Sequence, residues 1–239
     1  LRLNYRNHRK IVTIDERIAY IGGFNVGDEY IGRNYRFGFW RDTHLRIVGS
    51  AVADLKVRFL QDWNFVTGGD EMEEREVIAH PSENGDAFCQ LVFSGPDSPQ
   101  ANIKLSMLKM IASADDVIYM QTPYFIPDQS LYDALVVALQ QGVEVNLMIP
   151  NRPDHPVVFP ATMSFAGDLI RAGARVYRYE RGFMHSKVMI IDDYVSMVGS
   201  CNIDERSFSL NFEASELVYS PRINARLKRA FHEDMQEST

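Results

Sequence analysis

Two short segments, NHRKIVTID near the start of the chain and MHSKVMIID far downstream, share an unusual spacing of chemically active residues. In each, a lysine follows a histidine by two positions and an aspartate follows the lysine by five. The residues are His8, Lys10 and Asp15 in the first copy and His185, Lys187 and Asp192 in the second. Imidazole, ammonium and carboxylate groups together can attack a substrate, transfer protons and stabilise negative charge. Each copy therefore carries one set of groups that could do chemistry.

The likeness between the copies continues past these motifs. Every motif residue of the first copy recurs 177 positions later, and in the same register Gly22 recurs as Gly199 and Asn25 as Asn202. Matches in one register indicate an internal duplication. Glycine lets backbone amides approach a ligand closely, and asparagine supplies hydrogen-bond donors. Each motif is thus followed by a turn that is suited to binding.

Strand geometry indicates which motif side chains face one pocket. The β-branched residues after each lysine predict a strand, on which side chains two positions apart share a face. Each histidine should therefore point the same way as its lysine. Asp15 and Asp192 have the opposite parity, so we expect them at strand ends, in structural roles.

Two such half-sites facing each other would surround one pocket with two imidazoles, two ammonium groups and two carboxamides. This set suits the phosphorus of a phosphodiester. One histidine would attack phosphorus to form a phosphohistidine, while the other protonates the leaving alcohol and then activates the acceptor. Asn25 and Asn202, with the lysines, would bind the non-bridging oxygens. Ser200, which is Gly23 in the first copy, would offer a hydroxyl to the phosphate on one side only. The scheme uses no metal and no other cofactor.

Two acids are expected to orient the histidines. An attacking imidazole must be neutral, with its proton on the correct nitrogen, and a carboxylate bound to the other nitrogen arranges this. Asp42 in WRDTHLRIVG and Glu213 in NFEASELVYS open corresponding strands downstream of the two motifs. The alternative for both acids is an ordinary charge at the start of a strand.

The remaining pattern predicts how the half-sites are held. Residues 67–87 are acidic and lack periodicity, which indicates a linker. Strands alternate with helices over residues 88–239, which predicts a second lobe, and residues 1–66 would form the C-terminal part of a first lobe. The fold class is therefore α/β, with two pseudo-symmetric lobes, each a mostly parallel mixed sheet flanked by helices, and the active site at their interface. Only seven residues precede the first motif histidine, so we expect the start of the first lobe to be missing from this chain.

Charge and composition narrow the class of partner. The formal net charge is −7, whereas nucleic-acid-binding proteins normally present a basic face, so no nucleic-acid partner is expected. A local basic site on an acidic protein can still take an anionic substrate. The two cysteines, Cys89 and Cys201, match no metal-binding pattern.

The paired HxKxxxxD motifs with their GGxN and GSxN turns resemble the signature of the phospholipase D superfamily. Within it, YRNHRKIVTIDERIAYIGGFNVGDEY, WRDTHLRIVG, QTPYFIPD and MHSKVMIIDD resemble bacterial cardiolipin synthases of the phospholipase D type. The resemblance spans essentially the whole chain. It implies that the His, Lys and Asp of both motifs are catalytic, including Asp15 and Asp192. It also implies transfer of a phosphatidyl group between two molecules of phosphatidylglycerol at the bacterial plasma membrane, with a membrane anchor in the missing N-terminal region.

Two other classes of function stay open at this point. A phospholipase D-type hydrolase would let water take the place of the acceptor alcohol, acting on a phospholipid or, less in keeping with the acidic charge, on nucleic acid. A non-catalytic scaffold would be expected to lose a histidine or a lysine from one copy, and neither copy has lost one. The oligomeric state and the identity of the attacking histidine do not follow from the sequence.

Overall fold

The computed structural model describes residues 4–69 and 77–239. The part that carries the first motif consists of short strands followed by one long helix. Its elements are β1 (Arg6–Asn7), β2 (Ile11–Ile14), β3 (Ile18–Gly22), a 3-10 helix (Asp28–Ile31), β4 (Phe39–Arg41), β5 (His44–Val48) and α1 (Ala51–Thr67).

The part that carries the second motif alternates strands and helices before the motif is reached. Its elements up to the motif are β6 (Phe88–Ser94), α2 (Asn102–Ile111), β7 (Val117–Gln121), β8 (Phe125–Ile126), α3 (Gln129–Gln140), β9 (Glu144–Pro150), α4 (Val158–Arg171), β10 (Arg175–Tyr179) and β11 (Gly182–Met184). From the motif onward they are β12 (Val188–Ile191), β13 (Val195–Gly199), β14 (Ile203–Asp204), α5 (Glu205–Ser209), β15 (Asn211–Tyr219) and α6 (Pro221–Gln236).

An eight-stranded mixed sheet forms the centre of the fold. Its strand order is β1-β15-β13-β12-β7-β9-β10, and β6 also pairs with β15. The βαβ units give parallel pairing of β7 with β9 and of β9 with β10, whereas β12 pairs antiparallel with both β7 and β13. The main hydrophobic core lies between this sheet and the helices α2, α3 and α4, and includes Ile118, Leu147 and Leu169. The predicted α/β class, with a mixed sheet flanked by helices, is confirmed.

The two copies fold alike. In the first, β2 pairs antiparallel with β3, with Ile11 opposite Ile21, and in the second β12 pairs with β13, with Val188 opposite Val198. The turn aspartates match as well, because Asp15 has φ 50° and Asp192 has φ 46°. β3 then pairs with β5 as β13 pairs with β15. In the described part of the first copy, these three strands form a separate, fully antiparallel sheet.

The glycines of the two turns sit where neighbouring strands come closest. Gly22 lies opposite His44 and Gly199 lies opposite Ser215. A Cβ at Gly22 would fall 2.4 Å from the Thr43 carbonyl oxygen, and one at Gly199 would fall 2.2 Å from the Ser215 Oγ. Since real Cβ atoms do not approach so closely, both positions require glycine for strand packing rather than for contact with a ligand.

Each copy also contributes a strand to the other copy. β1, just before the first motif, pairs in parallel with the start of β15, and β11, just before the second motif, pairs in parallel with β4. Each motif histidine is thereby placed beside the acid of the opposite copy, Glu213 on β15 or Asp42 directly after β4.

The division into part of a first lobe (1–66), a linker (67–87) and a second lobe (88–239) stays a prediction. The helix α1 ends at Thr67, where the acidic stretch was expected to begin, and β6 begins at Phe88. Residues 70–76 of the predicted linker lie outside the described residues. Of the helices that the structure describes, none combines the length and the apolar composition that a membrane crossing needs.

Candidate active site

His8 is held by an acid from the second copy. Its Nδ1 lies 2.9 Å from Glu213 Oε1 and 3.0 Å from Oε2, and its backbone N–H donates to the Phe212 carbonyl oxygen at 2.9 Å. The Glu213 side chain is fully buried and also accepts from Asn211 Nδ2 at 3.1 Å. The His8 ring keeps 27 % of its surface exposed, so its Nε2 edge is left for a ligand.

His185 is held in the same manner by an acid from the first copy. Its Nδ1 lies 2.7 Å from Asp42 Oδ2, and its backbone N–H donates to the Arg41 carbonyl oxygen at 2.7 Å. Asp42 is itself fixed, because its other carboxylate oxygen accepts from the Thr43 N–H at 2.8 Å. A carboxylate on Nδ1 holds the proton there and leaves the Nε2 lone pair free.

The acids are therefore exchanged between the copies. Glu213 holds the histidine of the first motif and Asp42 holds that of the second. Neither half can orient its own histidine, so the site is complete only when both halves are packed together.

Lys10 and Lys187 make equivalent contacts in the two copies. Lys10 Nζ donates to the backbone carbonyl of His8 at 2.6 Å, and Lys187 Nζ donates to that of His185. Each bond joins a lysine side chain to the backbone two residues earlier, just before the strand begins. Each ammonium group is thus tied to the backbone of its own histidine.

Burial gives both lysines unusual acidity. It lowers the pKa of Lys187 to about 7 and that of Lys10 to about 8. The carboxylates of Asp42 and Glu213 raise both pKa values and offset part of the burial, while the Lys10 ammonium further lowers the pKa of Lys187. These interactions cross between the copies, so the two half-sites share one electrostatic environment.

His185 is kept neutral at physiological pH. Burial, reinforced by the Lys187 ammonium, lowers its pKa to about 4, although the bonded carboxylate of Asp42 acts in the opposite direction. A neutral imidazole with an unprotonated Nε2 can act as a nucleophile or as a general base.

Asn25 and Asn202 differ in burial and in their hydrogen bonds. Asn202 is 6 % exposed, and its amide oxygen has no hydrogen-bond partner among the described residues. Asn25 is half-buried and its Nδ2 donates to the Tyr30 hydroxyl. The unpaired Asn202 oxygen is an acceptor, so Asn202 would bind an anionic ligand through its amide N–H groups, whereas the Asn25 amide would have to leave Tyr30 to do so.

Ser200 is buried against Glu213, whereas a contact with substrate was expected. Its side chain is fully buried, and its hydroxyl donates to Glu213 Oε2 and accepts from the Ala214 N–H at 3.1 Å. In the first copy, a Cβ at Gly23 would fall 2.3 Å from Asp42 Oδ1. Ser200 and Gly23 therefore differ in how they contact the neighbouring acid, which is Glu213 for Ser200 and Asp42 for Gly23. The Ser200 hydroxyl was expected to contact the phosphate, and in the structure it contacts Glu213 instead.

Asp15 and Asp192 are not brought to the histidines. The four residues of β12 separate Asp192 from Lys187, which puts the two about 16 Å apart along the strand at about 3.3 Å per residue. The Asp192 carboxylate accepts from the backbone N–H groups of Asp115, Asp116 and Val117 at 2.8 to 2.9 Å. Asp15 is exposed, and its side chain has no hydrogen bond to any described residue. The placement fits the structural role expected from strand parity, and it gives no support to the catalytic role that the resemblance implies.

This contrast yields a stability prediction. Replacing Asp192 by asparagine removes a charged acceptor from three backbone donors and is expected to lower the free energy of unfolding by about 2 kcal/mol. The matched change Asp15→Asn should stay within about 0.5 kcal/mol, because its side chain is exposed. Asparagine tolerates the positive φ at both positions. Urea unfolding followed by circular dichroism measures the difference, and equal losses at both positions would contradict it.

The chain is similar to proteins of one known family. Residues 107–235 match the family described as cardiolipin synthase, PLD-like domain. A cardiolipin synthase of Staphylococcus aureus strain Mu50 is 50% identical over 240 residues, which cover 100% of this chain and 49% of that protein. The chain belongs to the cardiolipin synthase family. One from Oceanobacillus iheyensis is also 50% identical, over 238 residues that cover 100% of this chain and 50% of that protein. This family member thus spans about half the length of the curated relatives it matches.

A solved structure supports the fold. The crystal structure of phosphatidylserine synthase from Haemophilus influenzae Rd KW20 superimposes with a TM-score of 0.74 over 99% of this chain and 63% of that one. The sequence identity is 15%, so this likeness concerns the arrangement of the elements alone.

Around His185, this cardiolipin synthase family member carries an aromatic cluster that the motifs did not reveal. The ring centroids of Tyr30, Trp40 and Phe183 lie 5.7, 5.2 and 6.2 Å from that of His185. Phe37 packs edge-on against Trp40 at 5.4 Å. The sequence offered one signal, the density of aromatic residues between Phe24 and Trp40, but these residues follow no helical or strand period. The cluster makes the surroundings of His185 more apolar than those of His8.

Proposed function

We propose that the chain carries both half-sites of a phosphatidyltransferase that makes cardiolipin and glycerol from two molecules of phosphatidylglycerol. The observation that carries this proposal is the exchange of acids, with His8 held by Glu213 and His185 held by Asp42. Two oriented imidazoles beside two ammonium groups supply every group that a double displacement at phosphorus needs. The name of the relatives, cardiolipin synthase, supports the choice of substrate.

The first half of the reaction forms a covalent intermediate. Nε2 of one histidine attacks the phosphorus of phosphatidylglycerol, and a nitrogen–phosphorus bond replaces the bond from phosphorus to the glycerol headgroup oxygen. The second histidine, protonated, gives its proton to that oxygen, and glycerol leaves. The Lys10 and Lys187 ammonium groups and the amide N–H groups of Asn202 donate to the non-bridging oxygens as negative charge develops on them.

The second half returns the enzyme to its starting state. The now neutral second histidine takes the proton from a headgroup hydroxyl of another phosphatidylglycerol. That oxygen attacks phosphorus, the nitrogen–phosphorus bond breaks and cardiolipin is released. Water in place of the acceptor would give phosphatidic acid, so the apolar wall of Trp40 and Phe183 near His185 favours transfer over hydrolysis. We also propose that the protein acts at the bacterial plasma membrane, where its lipid substrate lies.

Product analysis tests the reaction. The protein is incubated with phosphatidylglycerol in mixed micelles, and the products are identified by mass spectrometry. Cardiolipin and glycerol in equal amounts are expected. Phosphatidic acid without cardiolipin would overturn the transferase in favour of a hydrolase.

The pKa values of the site predict a dependence of kcat/KM on pH. The lysines act as charged groups, so kcat/KM should decline as pH rises through 7 and 8, where Lys187 and Lys10 lose their protons. With neutral His185 as the attacking histidine, kcat/KM should also decline as pH falls towards 4, where its ring gains a proton. In Lys187→Arg the guanidinium stays charged, so the alkaline decline should begin at higher pH and the acid limb should not move. An alkaline limb that is the same in this variant would contradict the assignment.

Lys187 also makes the free energy of unfolding depend on pH. The folded-state pKa of Lys187, about 7, lies below the ordinary lysine pKa of 10.5, so the unfolded chain binds more protons between these values. The contribution of Lys187 to the free energy of unfolding should therefore increase as pH rises from 7 towards 10.

A further inference from the structure

The segment that links the first motif to β4 exposes large apolar side chains. Residues 24–39 read FNVGDEYIGRNYRFGF. Val26 is fully exposed, Tyr35 is 98% exposed and Ile31 is 58% exposed, and Phe24 and Phe39 are exposed as well. Single exposed apolar residues are ordinary, but a group of them within one loop marks an interaction surface.

The inner side of this loop is fixed to the active site. Tyr30 packs against Trp40 with ring centroids 4.8 Å apart, and the His185 ring lies 5.7 Å from Tyr30. Gly32 and Gly38, with φ of 72° and 66°, reverse the chain on either side of Tyr35. The exposed side chains therefore project from the same loop that packs against His185.

The loop carries no net charge, with two arginines and two acids, whereas the whole chain is acidic. Arg33 and Arg36 are exposed, and the Arg181 guanidinium lies 4.6 Å from the ring centroid of Phe39. The acids of the loop are Asp28, which lies 3.5 Å from Arg33, and Glu29. The local charge is thus not negative, although the chain carries a net charge of −7. Exposed aromatic and aliphatic side chains flanked by arginines are the composition of a surface that binds anionic lipid.

We propose that residues 24–39 form a docking loop that inserts Val26, Ile31 and Tyr35 into the headgroup region of an anionic phospholipid bilayer. Insertion would bring Tyr30 and Trp40, whose rings pack beside His185, to the depth at which the phosphodiester of a lipid lies. The reason for such a loop rests on the proposed function, since a membrane lipid must reach His185, but binding itself is measurable without turnover.

Vesicle binding tests the proposal. The chain is sedimented with sucrose-loaded vesicles of phosphatidylcholine containing about 30% phosphatidylglycerol, and with vesicles of phosphatidylcholine alone. The triple variant Val26→Ser, Ile31→Ser and Tyr35→Ser is expected to lower the partition coefficient at least tenfold. A matched control replaces Phe88, Val137 and Ile170, which are exposed on other faces, by serine and should bind like the original chain. Equal binding by the loop variant, or an equal loss in the control, would overturn the proposal.

A second variant tests how much positive charge contributes to vesicle binding. Arg36→Gln is expected to lower partition onto the anionic vesicles about fivefold and to leave partition onto phosphatidylcholine unchanged. If the original chain does not bind vesicles and instead forms a dimer that the loop variant cannot form, the loop is a contact between copies and the lipid proposal fails.

A second substrate separates this proposal from the proposed function. With short-chain phosphatidylglycerol below its micellar concentration, the loop variant should retain the original rate of cardiolipin formation, and it should lose at least tenfold on vesicles. A chain that binds vesicles through the loop but forms cardiolipin from neither substrate would refute the function and leave the docking loop standing.

Discussion

Replacing His185 by asparagine is expected to reduce the rate of cardiolipin formation at least about 10³-fold, and His8→Asn should have an effect of the same size. Asparagine can still bond to the neighbouring acid, so the fold should persist, but it can neither attack phosphorus nor carry the proton. Because the two histidines act in sequence on one substrate, the double variant should be no worse than either single variant by more than a few-fold.

Three measurements separate this result from a folding defect. His80→Asn, which alters a histidine outside the site, should retain the full rate. Free imidazole should restore part of the activity to His8→Ala or His185→Ala, since it can occupy the space of the lost ring. Rapid denaturation during turnover, followed by peptide mass spectrometry, should find phosphorus on His8 or His185. Phosphorus on neither residue would refute the covalent mechanism.

Much of the fold followed from the duplication. Register matching between His8 and His185 indicated an internal duplication, and β2–β3 and β12–β13 pair with the same register. The apolar stretch VIYMQ by itself indicates a strand, and Val117–Gln121 are the bounds of β7. An aspartate before a helical pattern is a typical cap, and Asp128 accepts from the Leu131 N–H at the start of α3. These features depend on local periodicity and capping, which a sequence displays directly.

The partner of each acid could not be predicted from the same information. Asp42 and Glu213 are equivalent by position, but the exchange depends on β1 pairing with β15 and β11 pairing with β4. β1 is two residues long, β11 is three residues long, and both pair over large sequence separations. Such short strands have no periodicity to detect. The contact of Ser200 with Glu213 was missed for the same reason, because it follows from the depth of β15 in the sheet.

Because each acid holds the histidine of the other copy, replacing an acid is expected to impair that histidine. Asp42→Asn should cost about 10²-fold in rate through His185, and Glu213→Gln should cost as much through His8. In each variant the new amide can donate to Nδ1 and shift the imidazole proton to Nε2, so the lone pair no longer faces phosphorus. Nitrogen-15 NMR should record the altered tautomer on His185 in Asp42→Asn and on His8 in Glu213→Gln.

Glu216 supplies the matched control for these acid variants. It lies three residues after Glu213 on β15, is 1 % exposed, and its pKa is raised to about 8 by burial, so its side chain is neutral at pH 7. Glu216→Gln exchanges one neutral buried group for another of the same shape, and both histidine tautomers and the rate should be unchanged. If Asp42→Asn instead alters the His8 signal and spares His185, each acid serves the histidine of its own copy. The lobe interface would then have no part in orienting the imidazoles.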